Sequence, residues 1–389
     1  MIYIIYCFLL FVSVCFKNDA DTLASSEFWD TVTYHPIVIF FKNNSYYILL
    51  LSFLLGFNLI IKNYIKEFKI ISHPNAFLLI FIYVLVLIRV SIQDQDYFLK
   101  SSFSLFLIIS LFLIFSSGVY VYGIQKIKKY FLKSLVLFSF FYIFTNTINF
   151  FYGYGYAALG GRYFGVAVHP NFAGVQFAIC NSILIAVIIF WRKILLIPIF
   201  LMGIYLQIMT GSRTSFLIFL SFLLCVYFFK KKNISDYLLM MLFLSSSFFI
   251  VPRLSFESMD RGGSSNTRSQ VWQNMLDISF EKPFLGWGIE TGNSENSFLR
   301  FAIIMGYPFL FIFIFLILSV IKKYYFSLKN SYFDKNEYSI NIIFFSLFVG
   351  LIVGGMTEGY VADTWSFPKV VFIFLIFLVL NNYRGNKNV

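Results

Sequence analysis

Charge is scarce in this sequence. Only 12% of its 389 residues are Asp, Glu, Lys or Arg, against about 25% in soluble domains. That shortage excludes an ordinary soluble globular domain. Cysteine is also rare, and Cys7, Cys15, Cys180 and Cys225 each lie inside an apolar run. A disulfide framework is therefore not expected. The histidines, His35, His73 and His169, fall in different loops without a second ligand at useful spacing, so no metal site is expected. Acidic residues are few, 18 against 30 basic ones, and the net charge is +12. Such a charge would suit nucleic acid if it were clustered. Here the lysines are spread through short loops between apolar runs, and no nucleic-acid partner is expected.

Apolar residues fill the space that charge leaves, at 59% of the chain. Apolar runs of membrane-crossing length recur from end to end. Hydrocarbon offers no partner to backbone groups, so such runs must be helices. The expected fold is all-α: one polytopic membrane domain over 1–389 with about twelve transmembrane helices. Spans are expected near 1–16, 46–61, 76–92, 103–122, 131–151, 172–190, 194–210, 215–229, 237–251, 298–321, 340–356 and 367–380. The first lacks a charged leading region and a clear cleavage site, and reads as a span rather than a signal peptide. The 54 Phe carry no functional weight at this level.

Lysine-rich clusters fix the orientation. Lys62/Lys66/Lys69, Lys126/Lys128/Lys129/Lys133, Arg192/Lys193, Lys230/Lys231/Lys232, Lys322/Lys323/Lys329/Lys335 and Arg384/Lys387 fall on one side. That side is expected to be the cytoplasm, with both termini on it. A second asymmetry follows. The opposite side and the helix ends facing it carry Arg162, Arg213, Arg253, Arg261, Arg268 and Arg300, whereas the cytoplasmic loops are almost entirely lysine. Topology needs only positive charge. Arginine adds planar, two-pronged hydrogen bonding to phosphate or carboxylate. Arg89 lies near the outer end of its span, where it can snorkel to the interface or meet substrate.

Three outer segments concentrate polar chemistry. The first, Gly153 to Asn171, is glycine-rich and bears Arg162, His169 and Asn171. No strand precedes it, so it is not a dinucleotide loop. The second is the tight turn Gly211-Ser212-Arg213-Thr214. The third runs from Pro252 to Asn296 and forms an extracytoplasmic loop bounded at 252–297. It holds Arg253, Asp260, Arg261, Arg268, Glu290 and Glu295, together with the segment Pro283 to Gly288, PFLGWG.

These segments resemble the O-antigen polymerase and O-antigen ligase superfamily of bacterial inner membrane proteins, including the Wzy-type polymerases. The resemblance rests on Arg162, Gly165 and His169-Pro170-Asn171; on Ser212-Arg213-Thr214; and on Arg268, Trp272 and Pro283-Phe284-Leu285-Gly286-Trp287-Gly288. It continues through Asn296 and, nine intervening residues later, Gly306. It covers about 160 to 310. The ligase pattern places His before that Asn, whereas this chain has Glu295. The ligase histidine is therefore not carried over, and the polymerase branch is favoured.

The resemblance implies a metal-independent membrane glycosyltransferase without a cofactor. It would polymerise undecaprenyl-pyrophosphate-linked oligosaccharide repeat units into O-antigen, capsular or exopolysaccharide at the outer face of the inner membrane. Glu295, Arg213 and Arg268 are the catalytic candidates. Glu295 would take the proton of an acceptor hydroxyl, with Glu290, Asp260, Glu358 and Asp363 as rivals. The arginines would stabilise the leaving pyrophosphate. Arg162, Arg253, Arg261, His169, Asn171, Asn296 and Glu290 are candidates for substrate binding. Partners would be the lipid-linked oligosaccharide, membrane lipid, and chain-length regulator and flippase proteins. Two alternatives stay open: a ligase moving finished glycan to lipid A core or protein, and a transporter of lipid-linked sugar. A transporter should show an internal hydropathy repeat and mid-span ionisable residues, and neither is evident. The plain readings also stand: an interfacial turn for PFLGWG, an N-terminal helix residue for Glu295, a helix cap for Asn296, and a helix start at Pro170-Asn171.

Overall fold

The computed structural model describes residues 1–17, 32–65, 74–91, 95–156, 162–167, 169–230, 267–288, 296–362 and 366–381. Among these, the chain forms fourteen α-helices and no strand. They are α1 Ile2–Cys15, α2 Pro36–Asn43, α3 Ser45–Ile65, α4 Pro74–Ser91, α5 Gln95–Tyr122, α6 Ile124–Phe151 and α7 Pro170–Trp191. After them come α8 Ile197–Met209, α9 Arg213–Phe229, α10 Thr267–Glu281, α11 Ser297–Met305, α12 Tyr307–Asn330, α13 Lys335–Gly355 and α14 Phe367–Leu380. By length and composition, six described helical stretches can each cross a bilayer: α3, residues 105–122 of α5, α6, α7, α12 and α13. Shorter apolar helices accompany them at α1, α8, α9 and α14. The protein is a polytopic helical membrane protein.

Burial sorts the helices into a centre and a rim. The apolar window of α7 is 94% buried, whereas those of α3 and α12 are 28% and 39% buried. Every residue of α14 is buried. A helix that is apolar all round and enclosed by protein belongs in the centre of a bundle. Phenylalanine fills the space around α14: Phe11 meets Phe367 at 5.4 Å and Phe131 meets Phe374 at 4.9 Å between ring centroids. Offset and edge contacts of this kind add to plain area burial. Lipid tails compete with apolar side chains, so helices in a bilayer associate through close packing. The α9–α13 pair shows it. A Cβ on Gly350 would lie 2.9 Å from the Ile218 carbonyl, and one on Gly354 would lie 2.5 Å from the Ile218 side chain. Glycine at this spacing lets the two backbones touch.

Helices coincide with the expected spans except in two places. The span at 237–251 lies outside the described residues. The span expected at 298–321 is not one helix. It is α11, a break at Gly306 with φ 83°, and then α12. Apolarity runs unbroken through the break, which hid it. Gly306 and Pro308 make it: glycine takes the positive φ, and proline sits in the first turn of α12, where it lacks only an unneeded donor. The membrane-crossing element is thus α12, about 36 Å long from its 24 residues. The polar loop also differs from expectation, because Thr267–Glu281 within it is α-helical.

Two ends of the bundle can be told apart. One carries the turns at 152–169, 210–212 and 356–362, together with α10 and α11; we call it the turn-rich end. The other carries Lys128, Lys230 and Lys335; we call it the lysine-bearing end.

Candidate functional site

The α6–α7 connection is laced to its neighbours by backbone donors. Gly155 N–H donates to Thr33 O at 2.9 Å, and Tyr163 N–H donates to Met209 O at 2.9 Å. Burial pushes the Tyr163 phenol well above its ordinary pKa. It stays a neutral donor, to Asn146 O at 2.8 Å. These ties set Arg162 against the α8–α9 turn. Its Nε donates to Thr210 O at 2.8 Å, and its Nη2 donates to Asn171 Oδ1 at 2.7 Å.

Asn171 passes the chain of bonds onward. Its Nδ2 donates to Glu358 Oε1 at 3.0 Å. Thr214 Oγ donates to the same oxygen at 3.2 Å. Thr357 Oγ donates in turn to Thr214 Oγ at 3.0 Å. Glu358 is buried, 6% exposed. A carboxylate taken from water needs compensating donors, and it has them here. The main chain of the same turn is pinned to α11. Ser297 Oγ donates to Glu358 O at 2.7 Å and accepts from Val361 N–H at 3.1 Å. The buried Arg300 reaches Gly359 O at 3.5 Å. Burial, with the charge of Glu358 adding to it, pushes the Tyr360 phenol well up. It donates to Leu351 O at 2.5 Å. Four segments remote in sequence therefore meet around residue 358.

Of the arginines expected on the outer side, Arg162 bonds to the α8–α9 turn and Arg213 directly follows that turn. Arg162 holds Thr210, and Arg213 follows three residues later, within about 10 Å of chain. Arg213 is exposed at the first position of α9. Its neighbour Thr214 holds Glu358. The helix N-terminus adds its own positive end there. Arg162 is built in, with protein acceptors on two of its nitrogens. The backbone of Arg268 lies in the first turn of α10; its side chain lies outside the described residues. So do Arg253, Asp260, Arg261, Glu290, Glu295 and Asp363.

The motifs on the described residues show what their spacing means. His169 is the N-cap of α7, its Nδ1 accepting from Asn171 N–H at 3.0 Å, and Pro170 begins the helix. Asn296 caps α11, its Oδ1 accepting from Phe298 N–H at 2.9 Å and Leu299 N–H at 3.1 Å. Gly306 ends the same helix. The nine residues between Asn296 and Gly306 are α11 itself. Glu295 is thus the residue immediately before a capped helix whose first residue, Ser297, is bonded to the Glu358 turn.

PFLGWG caps the other end of α11. Trp287 N–H donates to Ile303 O at 2.6 Å and Gly288 N–H to Ile304 O at 2.9 Å. Those carbonyls have no partner within their own helix. Tyr307 N–H donates to Pro283 O at 2.7 Å. Gly286 and Gly306 have φ of 61° and 83°, and a Cβ on either would strike backbone. The Trp287 indole is turned inward, donating to Ile278 O at 3.0 Å with Lys282 Nζ 3.6 Å from the ring centroid. Among the described residues, the indole N–H of Trp272, one turn after Arg268, is enclosed without a hydrogen-bond acceptor.

Glu358 ranked only among rival carboxylates in the sequence. Arg300 counted as one outer arginine and no more. Neither stands in a motif, and their signal is a charged residue at the end of an apolar run. Among the described residues, no group of three His, Cys, Asp or Glu side chains is gathered for a metal ion.

Residues 197–308 match the family model described as O-antigen ligase. The match supports the O-antigen polymerase and ligase superfamily and, in general terms, a glycosyl-transferring membrane enzyme. It takes in Arg213, Arg268, Glu295, Asn296 and Gly306, and it leaves out Arg162, His169, Asn171 and Glu358. No curated protein matches the chain.

Proposed function

We propose that this chain of the O-antigen polymerase and ligase superfamily polymerises polyprenyl-pyrophosphate-linked oligosaccharide repeat units, with its active site at the turn-rich end, the extracytoplasmic face. One observation carries the reading. Glu358 is held by Asn171 and Thr214, with Arg162 behind it and Arg213 exposed one residue from Thr214. The first two motif segments, and Ser297 beside the end of the third, meet around Glu358.

The proposed chemistry is a displacement at the anomeric carbon of the donor glycan. An acceptor sugar hydroxyl forms the new C–O bond, and the bond to lipid pyrophosphate breaks. The hydroxyl proton passes to a carboxylate, for which Glu295, just ahead of the α11 cap, is the leading candidate. Negative charge builds on the leaving pyrophosphate. Arg213 at the α9 N-terminus and Arg268 on α10 stabilise it. Arg162 and Asn171 hold Glu358 and the α8–α9 turn in place, and Glu358 is the second carboxylate available to order the acceptor. Arg253, Arg261, Glu290, His169 and Asn296 complete the proposed substrate-binding set. The donor is already activated, so no nucleotide is needed.

The choice of polymerase rests on Glu295 standing where ligases carry histidine. The matched family's description favours a ligase as the second reading. The deletion strain separates them. Surface glycan shortened to single repeat units indicates a polymerase, and loss of all surface glycan a ligase. Purified protein that fails to lengthen a lipid-linked repeat unit, from a strain whose chain lengths are unchanged by the deletion, overturns both.

A further inference from the structure

We propose that residues 280–285, at the end of α10, form a wedge that inserts among the acyl chains of the leaflet at the turn-rich end. Phe280, Phe284 and Leu285 are 63%, 76% and 71% exposed. Large apolar side chains this open, close together in a mostly polar segment, call for a partner. The partner follows from what they continue. The ring of Phe280 stacks on Tyr307, the first residue of the membrane-crossing helix α12, at 5.5 Å and 26°. Ser279 Oγ and Tyr307 Oη are hydrogen-bonded at 2.7 Å. Below Tyr307, the exposed side chains Phe311, Phe315 and Leu318 descend α12 at helical spacing. That stripe faces lipid, since α12 lies on the rim of the bundle. Phe280 extends the stripe sideways, and Phe284 and Leu285 lie just beyond it.

The segment is also rigid enough to act as a wedge. Pro283 O accepts from Tyr307 N–H, the residues just after the segment, Trp287 and Gly288, bond to Ile303 O and Ile304 O, and Gly286 and Gly306 bring the two stretches of chain into backbone contact. Trp287 is turned inward, so the ring ordinarily expected at a membrane interface anchors the wedge to α10. The polar side of α10, including Gln273, Asn274 and Asp277, is exposed. Insertion at 280–285 would set the height of α10, and hence of Arg268 in its first turn, above the membrane. The inference rests on the membrane-crossing role of α12 and stands apart from the glycosyl-transfer reading.

The test uses full-length protein in nanodiscs of phosphatidylethanolamine and phosphatidylglycerol, with Cys225→Ser as background. An environment-sensitive fluorophore is placed at Phe284→Cys, Leu285→Cys or, as a control on the same helix, Gln273→Cys. Quenching is measured with a nitroxide on the lipid acyl chain and with an aqueous ion. The expected result is several-fold stronger acyl-chain quenching at 284 and 285 than at 273, with the reverse order for the aqueous ion. Equal aqueous quenching at all three positions overturns the wedge. So does a probe at 284 and 285 shielded from both quenchers, which would place a second copy or another protein there.

Discussion

The two ends of the bundle both bury charge, and they do it differently. At the lysine-bearing end, Lys128 is 2% exposed and donates to Asn341 Oδ1 at 2.9 Å, with Glu337 at 3.7 Å. Asn341 Nδ2 donates onward to Ser331 Oγ at 2.9 Å. A cation, a carboxylate and an amide from α6 and α13 answer one another. At the turn-rich end, Glu358 accepts from an amide and a hydroxyl, and Arg162 bonds to that same amide. The lysine end joins two helices. The turn-rich end draws on four separate segments and presents Arg213 to the outside. The lysine-bearing pair locks one helix to another. A carboxylate where several turns converge, beside an exposed helix N-terminus that carries an arginine, is suited to receiving a ligand.

The largest expected effect lies in the proposed chemistry. Glu295→Gln should fold, insert and bind lipid-linked substrate, yet extend chains about 100- to 10,000-fold more slowly, as for loss of a general base. Near-normal turnover of purified variant would move the base to Glu358, Glu290 or Asp260. Arg213→Ala should cost about 100- to 1,000-fold in turnover, the usual loss when a preorganised charge donor is removed. Protein level should hold, because the side chain is exposed. Arg213→Lys should recover only part of that loss, since lysine lacks the planar fork. Full recovery in the glycan length distribution would show that charge alone matters there.

The lysine-bearing end should respond in the opposite way. Lys128→Met leaves Asn341 and Glu337 without their cation and should cost about 3 kcal/mol of stability, the low end for a broken buried pair because Glu337 keeps contact with water. Adding Glu337→Leu should recover much of it. Unfolding in detergent measures both, and the surviving protein should make glycan of unchanged length. Changed chain lengths at matched protein level would erase the contrast between the ends. The smallest effect is expected for Asn296→Ala, which removes the α11 cap and should cost about 1 kcal/mol. Its turnover should fall further than its stability if α11 positions Glu295. Equal small losses in both would leave Asn296 a cap only.

Much of the fold could be read in the chain. The runs at 45–65, 170–191 and 335–355 announce themselves by apolar length. The break at Gly306 could have been read from Gly306 and Pro308, but hydropathy alone ran through it. α10 was missed because its sequence is polar and lies in a loop, where apolar periodicity is weak. Arg162, Arg213 and Asn296 stood out through type and motif. Glu358 did not, since nothing near it in sequence reveals Asn171 or Thr214.

By itself, then, the sequence determined that this is a helical membrane protein with its lysine clusters at one end and its motif arginines at the other. Those properties are local: a bilayer forces any sufficiently long apolar run to satisfy its backbone internally, and charge stays where the run ends. Only the tertiary structure decided that Glu358 sits at the centre of the polar cluster, that Asn296 and Gly306 bound a single helix, and that PFLGWG closes its far end. Glu358 and Asn171 are 187 residues apart. A hydrogen bond of about 3 Å depends on where two helix ends are packed, and that packing is set by the close approach of helices throughout the bundle rather than by either residue.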